Sequence, residues 1–188
     1  MLGGRMGDVI GKLTSAQALK IVERLSRKDG TIRDAVVAEA MNVLADFSLD
    51  ETAGEVFDIL DSIDVQDCRD RSGDSPHGHT SPHDAAIDLV EEALQPYFDQ
   101  AERYHELAMP DQEAAYCQAV MLGIYLYAHE SDSEFRKWSA DIPAACAGYA
   151  LERWRERNPD QAPTSTMRAF VRARCPKWAN RLKGKPSL

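Results

Sequence analysis

The sequence has no run of about eighteen apolar residues, which is the minimum that a membrane-spanning helix requires. Its first eleven residues carry one arginine and no apolar segment long enough for the core of a signal peptide. We therefore expect a protein that has no membrane partner and is located in the cytoplasm.

Cysteine pairs with metal-binding spacing are also missing. The four cysteines, Cys68, Cys117, Cys146 and Cys175, form no Cys-x-x-Cys pair, which excludes a zinc ribbon and a thioredoxin-like redox motif. Cys117 and Cys146 fall in apolar helical stretches, which is typical of small buried hydrophobic residues. A disulfide is not expected in the cytoplasm.

The sequence lacks the short motifs of common catalytic sites. It contains no Gly-x-Ser-x-Gly elbow, no glycine-rich phosphate loop and no His-Glu-x-x-His zinc motif. Glu102 and His105 form one Glu-x-x-His motif, but a di-iron carboxylate site needs a second copy. His129 at the end of a helix is best explained by its favourable interaction with the helix dipole. We predict no catalytic residue and favour a non-enzymatic protein, with an enzyme left open as the alternative.

Strand-like alternation is not present, whereas apolar residues recur three and four positions apart along most of the chain. The predicted fold class is all-α, as an irregular array of antiparallel helical hairpins. Such an array is similar to HEAT and tetratricopeptide proteins but lacks a regular repeat. We expect the second helix to pair with the third, the fourth with the fifth, and the last two with each other.

Two long helices between Ser81 and His129, separated by a break at Met109-Pro110, are predicted to organise the fold. The second of them is apolar nearly all round from Val120 to Ala128, so it should lie centrally and be covered by other helices. Further helices are predicted at 15–28, 32–47, 50–63, 134–139, 142–157 and 164–182. Thr31 is expected to cap the second helix, Asn158-Pro159 to end the helix at 142–157, and Cys175-Pro176 to break the last.

Charge divides the chain unevenly. Residues 151–188 hold ten Lys or Arg against three Asp or Glu, a net charge of +7, whereas residues 1–150 have a net charge of −16. The prediction is an acidic helical body, residues 1–160, with a long loop at 64–82. A basic C-terminal helix or arm, residues 161–188, is expected to pack on this body.

The basic arm is the first candidate binding element. Five of its side chains would line a surface facing phosphates: Arg168, Arg172, Arg174, Lys177 and Arg181. The alternative is docking of the arm onto the acidic body of the same molecule or of a second copy. We favour docking, because a chain with a pI near 5.0 would repel a nucleic acid.

The loop at 64–82 is the second candidate, because it carries three histidines within seven residues. His77, His79 and His83, with Asp74 and Asp84 nearby, would hold one divalent metal ion if the loop folded back on itself. The alternative is a polar, mobile loop that merely contains histidines.

An aspartate series precedes that loop. Its members are Asp58, Asp61, Asp64, Asp67 and Asp70, at steps of three. A magnesium or calcium ion would relieve the repulsion between neighbouring carboxylates on one helix. A solvated acidic face is the favoured interpretation.

The chain resembles the helical region found beside SWIM zinc fingers in some bacterial and archaeal proteins. The resemblance lies in three segments, Asp64–Gly73, Ala85–Phe98 and Cys117–Tyr127. The resemblance covers about residues 15 to 157. The zinc finger itself, Cys-x-Cys followed by Cys-x-His, is absent, so its metal site and nucleic-acid role do not carry over. The resemblance implies a helical accessory module with no catalytic residue.

These patterns together favour a non-enzymatic module for protein–protein interaction or scaffolding, with another protein or a second copy as its partner. One alternative is a metal-binding protein or a metal-dependent hydrolase that uses the His77–His83 loop. The other is a nucleic-acid-associated accessory protein that binds through the basic arm.

Overall fold

The computed structural model describes residues 9–75, 78–159 and 165–179. In this part of the chain the fold is all-α, as predicted, with nine α-helices, one short β-hairpin and a final 3₁₀ turn at Pro176–Trp178. The elements are α1 (Ser15–Lys28), α2 (Gly30–Ala45), α3 (Leu49–Asp61), α4 (Val65–Arg71), β1 (Gly73–Ser75), β2 (Gly78–Thr80), α5 (Pro82–Glu106), α6 (Pro110–Glu130), α7 (Glu134–Trp138), α8 (Ile142–Arg157) and α9 (Ser165–Arg174).

The chain forms two compact units, Met1–Phe47 and Ser48–Leu188. We call the first the N-terminal unit and the second the C-terminal unit. The boundary at Phe47 falls within residues 1–160, the stretch that the charge distribution predicts to be one body.

The N-terminal unit contains α1 and α2, which contact each other, and we call this pair of helices the hairpin. The Thr14 hydroxyl accepts from the Gln17 amide at 3.3 Å while the Gln17 side chain accepts from the Thr14 amide at 3.0 Å, so a capping box begins α1. Asp29 is the single residue between the helices. Its amide donates to the Leu25 carbonyl, and its carboxylate accepts from the Thr31 amide at 2.8 Å. Asp29, and not the predicted Thr31, therefore caps α2, and the second helix pairs with the first instead of the third.

The C-terminal unit is built around α6, which packs against α3, α5, α8 and α9. Val120, Met121, Ile124 and Tyr127 are each at most 2% exposed. The prediction of a central helix is confirmed, and its cause is the one inferred, namely a stretch from Val120 to Ala128 that is apolar nearly all round. Because its neighbours come from both ends of the unit, the helices are grouped around α6 and not ordered in a row.

Gly123 lies where α6 comes closest to α3. A Cβ atom at this position would be 2.5 Å from the carbonyl oxygen of Ala53 and 2.5 Å from the Cβ of Val56. Glycine therefore permits this approach, and Val56 and Leu60 of α3 are fully buried.

The segment 64–82 is not one long loop, and that prediction was wrong. Asp64 begins α4 through a capping box, in which its carboxylate accepts from the Gln66 amide at 2.8 Å and the Asp67 carboxylate accepts from the Asp64 amide at 3.3 Å. The carboxylates that we interpreted as an acidic face thus include a helix cap. After α4, Gly73 has a φ of 115°, which side-chain-bearing residues rarely adopt, and it begins the antiparallel pairing of β1 with β2.

The predicted breaks at the prolines are confirmed at three positions. Helix α5 ends before Met109-Pro110, α8 ends before Asn158-Pro159, and α9 ends before Cys175-Pro176. Helix α5 continues through Pro96, so this proline does not end the helix.

Candidate functional site

Exposed apolar side chains are concentrated in the N-terminal unit. Among the described residues, thirteen large hydrophobic side chains are exposed, and nine of them lie between positions 9 and 43. These nine are Val9, Ile10, Leu19, Ile21, Val22, Leu25, Ile32, Val37 and Val43, with exposures from 37% to 66%. No residue of α1 or α2 is buried. Seven of the nine, all but Val9 and Ile10, lie on α1 and α2, and we call these seven side chains the apolar surface of the hairpin.

The two helices of the hairpin differ in character. Helix α1 is amphipathic, with Leu19, Val22 and Leu25 on one side and charged residues on the other. Helix α2 has only three charged residues among sixteen, and they point in different directions, so it is apolar on all sides. A helix of this kind is normally enclosed by others. Helix α6 has the same character and is enclosed, whereas α2 has no buried residue.

The predicted metal residues are brought together in part. Asp74 and His79 face each other across the β-hairpin, and the His79 Nδ1 lies 3.0 Å from an Asp74 carboxylate oxygen. Both side chains are largely exposed. His83 lies in the first turn of α5, and His77 lies outside the described residues. Within the described residues no three His, Cys, Asp or Glu side chains converge on a common point, and a metal site at His77, His79 and His83 stays a prediction.

The basic arm lies against α6 with an apolar side and keeps most of its cations outward. Its buried side chains are Met167, Val171, Cys175 and Trp178. The Trp178 ring contacts Tyr125 of α6 at a centroid distance of 5.2 Å. An Arg174 nitrogen lies 2.6 Å from an Asp50 carboxylate oxygen on α3. Among the described residues of the arm, the exposed cations are Arg168, Arg172, Arg174 and Lys177, and Arg181 lies outside the described residues. These contacts place the described part of the arm against α6 and α3 of the same molecule, and binding of phosphates by its exposed cations stays a prediction.

His129 belongs to the same aromatic cluster. Its ring lies 4.5 Å from that of Tyr125 and 5.8 Å from that of Trp178. Burial, assisted by the positive charges of Lys177 and Arg136, lowers the pKa of His129. Its Nε2 is buried and has no hydrogen-bond partner among the described residues. Burial and these two positive charges therefore disfavour the charged form of the imidazole.

One buried carboxylate, that of Glu113, is not predicted by any of the sequence patterns. Glu113 is fully buried in the first turn of α6, and its oxygens accept from Arg157 Nε at 2.7 Å and Asn158 Nδ2 at 3.0 Å. His105 Nδ1 is 3.3 Å from the same carboxylate. Glu102 pairs instead with Arg153, so the Glu-x-x-His motif is not one shared site. Glu113 thereby ties together the end of α5, the start of α6 and the end of α8.

The pocket beside Glu113 and its hydrogen-bond partners is too small for a substrate. It lies between α5, α6 and α8, is lined in part by Phe98, Cys117 and Arg153, and has a volume of about 10 Å³. That is roughly the room for one water molecule, against about 300–1,000 Å³ for typical ligand pockets.

The four thiols are expected to be inert in the folded protein. All four cysteines are buried, and burial raises the pKa of Cys117 and Cys175 to about 12 and that of Cys146 to about 11. Because the thiolate is the reactive form, Ellman's reagent at about pH 8 should label none of them. The same reagent in denaturant should label all four. One rapidly labelled thiol in the native protein would contradict this expectation.

Comparisons with family models, with curated proteins and with solved structures found no match to this chain, so the resemblance to the SWIM-associated region stays a prediction. In the described residues, no helix has both the length and the apolar character needed to cross a membrane.

Proposed function

We propose that this chain is a non-enzymatic protein-interaction module, in which the N-terminal hairpin is the docking element and the C-terminal unit is the scaffold that carries it. The observation that supports this proposal is the apolar surface of the hairpin, which holds seven of the thirteen exposed large hydrophobic side chains in the described residues. Exposed apolar surface of this extent on a soluble protein commonly marks an interaction site.

The energetic argument concerns what the hairpin leaves exposed. Full burial of one Val, Leu or Ile side chain contributes about 1.5–3 kcal/mol, and each of the seven forgoes a large part of that. Two helices alone enclose no interior, and most of the stability of a helix in a protein comes from packing of its apolar face. A partner that covers the hairpin would supply this missing packing.

The C-terminal unit has no comparable requirement. Its central helix is enclosed, and Val56, Leu60, Leu94 and Ile124 have no exposed surface. In this proposal the C-terminal unit provides a stable fold and the N-terminal unit provides the binding surface.

The test compares two double variants of the full chain. Leu19→Glu with Val37→Glu places charges on the hairpin, whereas Ile59→Glu with Leu107→Glu makes the same change at two exposed aliphatic residues of the C-terminal unit. Tagged proteins are cross-linked in a cell lysate, and their partners, including untagged copies, are identified by mass spectrometry. Partners should be lost from the hairpin variant and retained by the control. Equal capture by both variants would overturn the proposed function.

A further inference from the structure

We propose that the partner of the hairpin is a second copy of this chain, and that the two hairpins form a four-helix bundle in which α2 packs antiparallel against α2 of the other copy. This inference rests on the proposed function, because it names what covers the same apolar surface. A hairpin supplies two helices without an interior, and two hairpins supply the four that enclose one.

Charge favours a self-association of this kind. Residues 1–47 carry seven Lys or Arg against six Asp or Glu, a net charge of +1, whereas residues 48–188 carry fifteen against twenty-five, a net charge of −10. A nearly neutral surface meets its own copy without repulsion, while a strongly charged partner would find no complementary field there. The part of the chain with a net charge near zero is therefore also the part that carries most of the exposed apolar side chains.

Helix α2 is self-complementary in position as well. Ile32 and Val43 are eleven residues apart, which is about three helical turns, so they lie on one side of α2 with Val36 between them. Ile32 is third from the start of Gly30–Ala45 and Val43 third from its end, so they are equally far from its midpoint. In a two-fold antiparallel pair, each Ile32 would therefore meet the Val43 of the other copy. Both side chains are exposed, at 37% and 66%.

The available area fits a stable dimer. Seven aliphatic side chains that are each roughly half exposed present on the order of 600 Å² per copy, which is the lower end of what a specific interface buries on each partner. Helix α2 would then have α1 on one side and the second copy on another, as expected for a helix that is apolar on all sides.

The first measurement is sedimentation equilibrium of the full chain over a range of concentrations. The wild-type protein should have the mass of a dimer. Val43→Glu should raise the dimer dissociation constant by roughly 100-fold or more, because it buries an unpaired charge at the interface. Ile59→Glu, the same kind of change at an exposed residue of α3, should leave the constant unaltered.

Cross-linking tests the antiparallel arrangement. The four native cysteines are buried, so a new thiol at position 32 or 43 would be the accessible one among the described residues. Ile32→Cys and Val43→Cys are coexpressed with different tags and oxidised. The mixed pair should form a covalent dimer, and neither variant alone should do so. Cross-linking of Val43→Cys with itself, without the mixed product, would overturn the antiparallel pairing.

The failure of this inference can be told from failure of the proposed function. A chain that sediments as a monomer at every concentration overturns the second copy as partner. If that monomer still captures other proteins through the hairpin, and loses them in the Leu19→Glu, Val37→Glu variant, the interaction function stands with a different partner. If it captures none, both proposals fall.

Discussion

Replacement of Gly123 by alanine should destabilise the C-terminal unit strongly. The new Cβ would lie 2.5 Å from the Ala53 carbonyl oxygen and 2.5 Å from the Val56 Cβ, and the atoms it meets are backbone and the root of a stiff side chain. Neither can move without separating α3 from α6. Overpacking of a well-packed core costs about 1–3 kcal/mol and sometimes more, and we expect Gly123→Ala to lie at the upper end.

Urea denaturation followed by circular dichroism measures this loss as a lower midpoint with an unchanged slope. Two glycines provide matched controls, because a Cβ at Gly54 of α3 or Gly148 of α8 would meet nothing within 4 Å. Gly54→Ala and Gly148→Ala should raise the free energy of unfolding by about 0.5–1 kcal/mol each, since alanine is the better helix former. An unchanged midpoint for Gly123→Ala would show that α3 and α6 do not pack as described.

Removal of Arg157 should have a comparable effect for an electrostatic reason. Glu113 is fully buried, and Arg157 Nε at 2.7 Å is its closest charged partner. Arg157→Met leaves the carboxylate with Asn158 and a half-exposed His105. A buried charge that loses its partner costs about 3–5 kcal/mol, and we expect a loss of that size in the free energy of unfolding.

A double-mutant cycle separates the pair from its surroundings. Glu113→Met should cost less than Arg157→Met, because the Arg157 side chain is 15% exposed and keeps some contact with water. The double variant should cost much less than the sum of the two, since it leaves neither charge unpaired. His105→Ala serves as the control, and a half-exposed partner should contribute at most about 1 kcal/mol. Additive losses in the cycle would contradict a coupled Glu113–Arg157 pair.

Local patterns were sufficient for much of the fold. The central place of α6 follows from an apolar surface on all its sides, and proline positions predicted three helix ends because proline restricts the residue before it. Helix α4 escaped prediction because capping aspartates three residues apart look like an acidic helix face. In the structure the side chains of Asp64 and Asp67 accept hydrogen bonds from backbone amides at the start of α4. Asp61 accepts a hydrogen bond from the hydroxyl of Ser131, which is seventy residues away in the chain.

The sequence patterns do not predict which residues that are far apart in the chain contact each other in the fold. Apolar faces on α1 and α2 are visible in the sequence, but whether other residues cover them depends on the packing of the whole chain. Glu113 lies one turn before Cys117 in an ordinary helical first turn, and nothing in its local sequence separates it from an exposed acid. Glu113 is paired in the folded protein by Arg157 and Asn158, which lie at the end of α8, more than forty residues away in the chain.

The close approach at Gly123 also has a consequence for synthesis. Val56 and Gly123 are sixty-seven residues apart in the chain. At ~5–20 residues per second, a ribosome takes about 3–13 seconds to make that stretch. Throughout this interval the apolar side of α3 is not covered by α6. Helices α1 and α2, in contrast, are joined by one residue and can contact each other as soon as both have been made. The nascent chain therefore depends on whatever shields α3 until α6 leaves the ribosome.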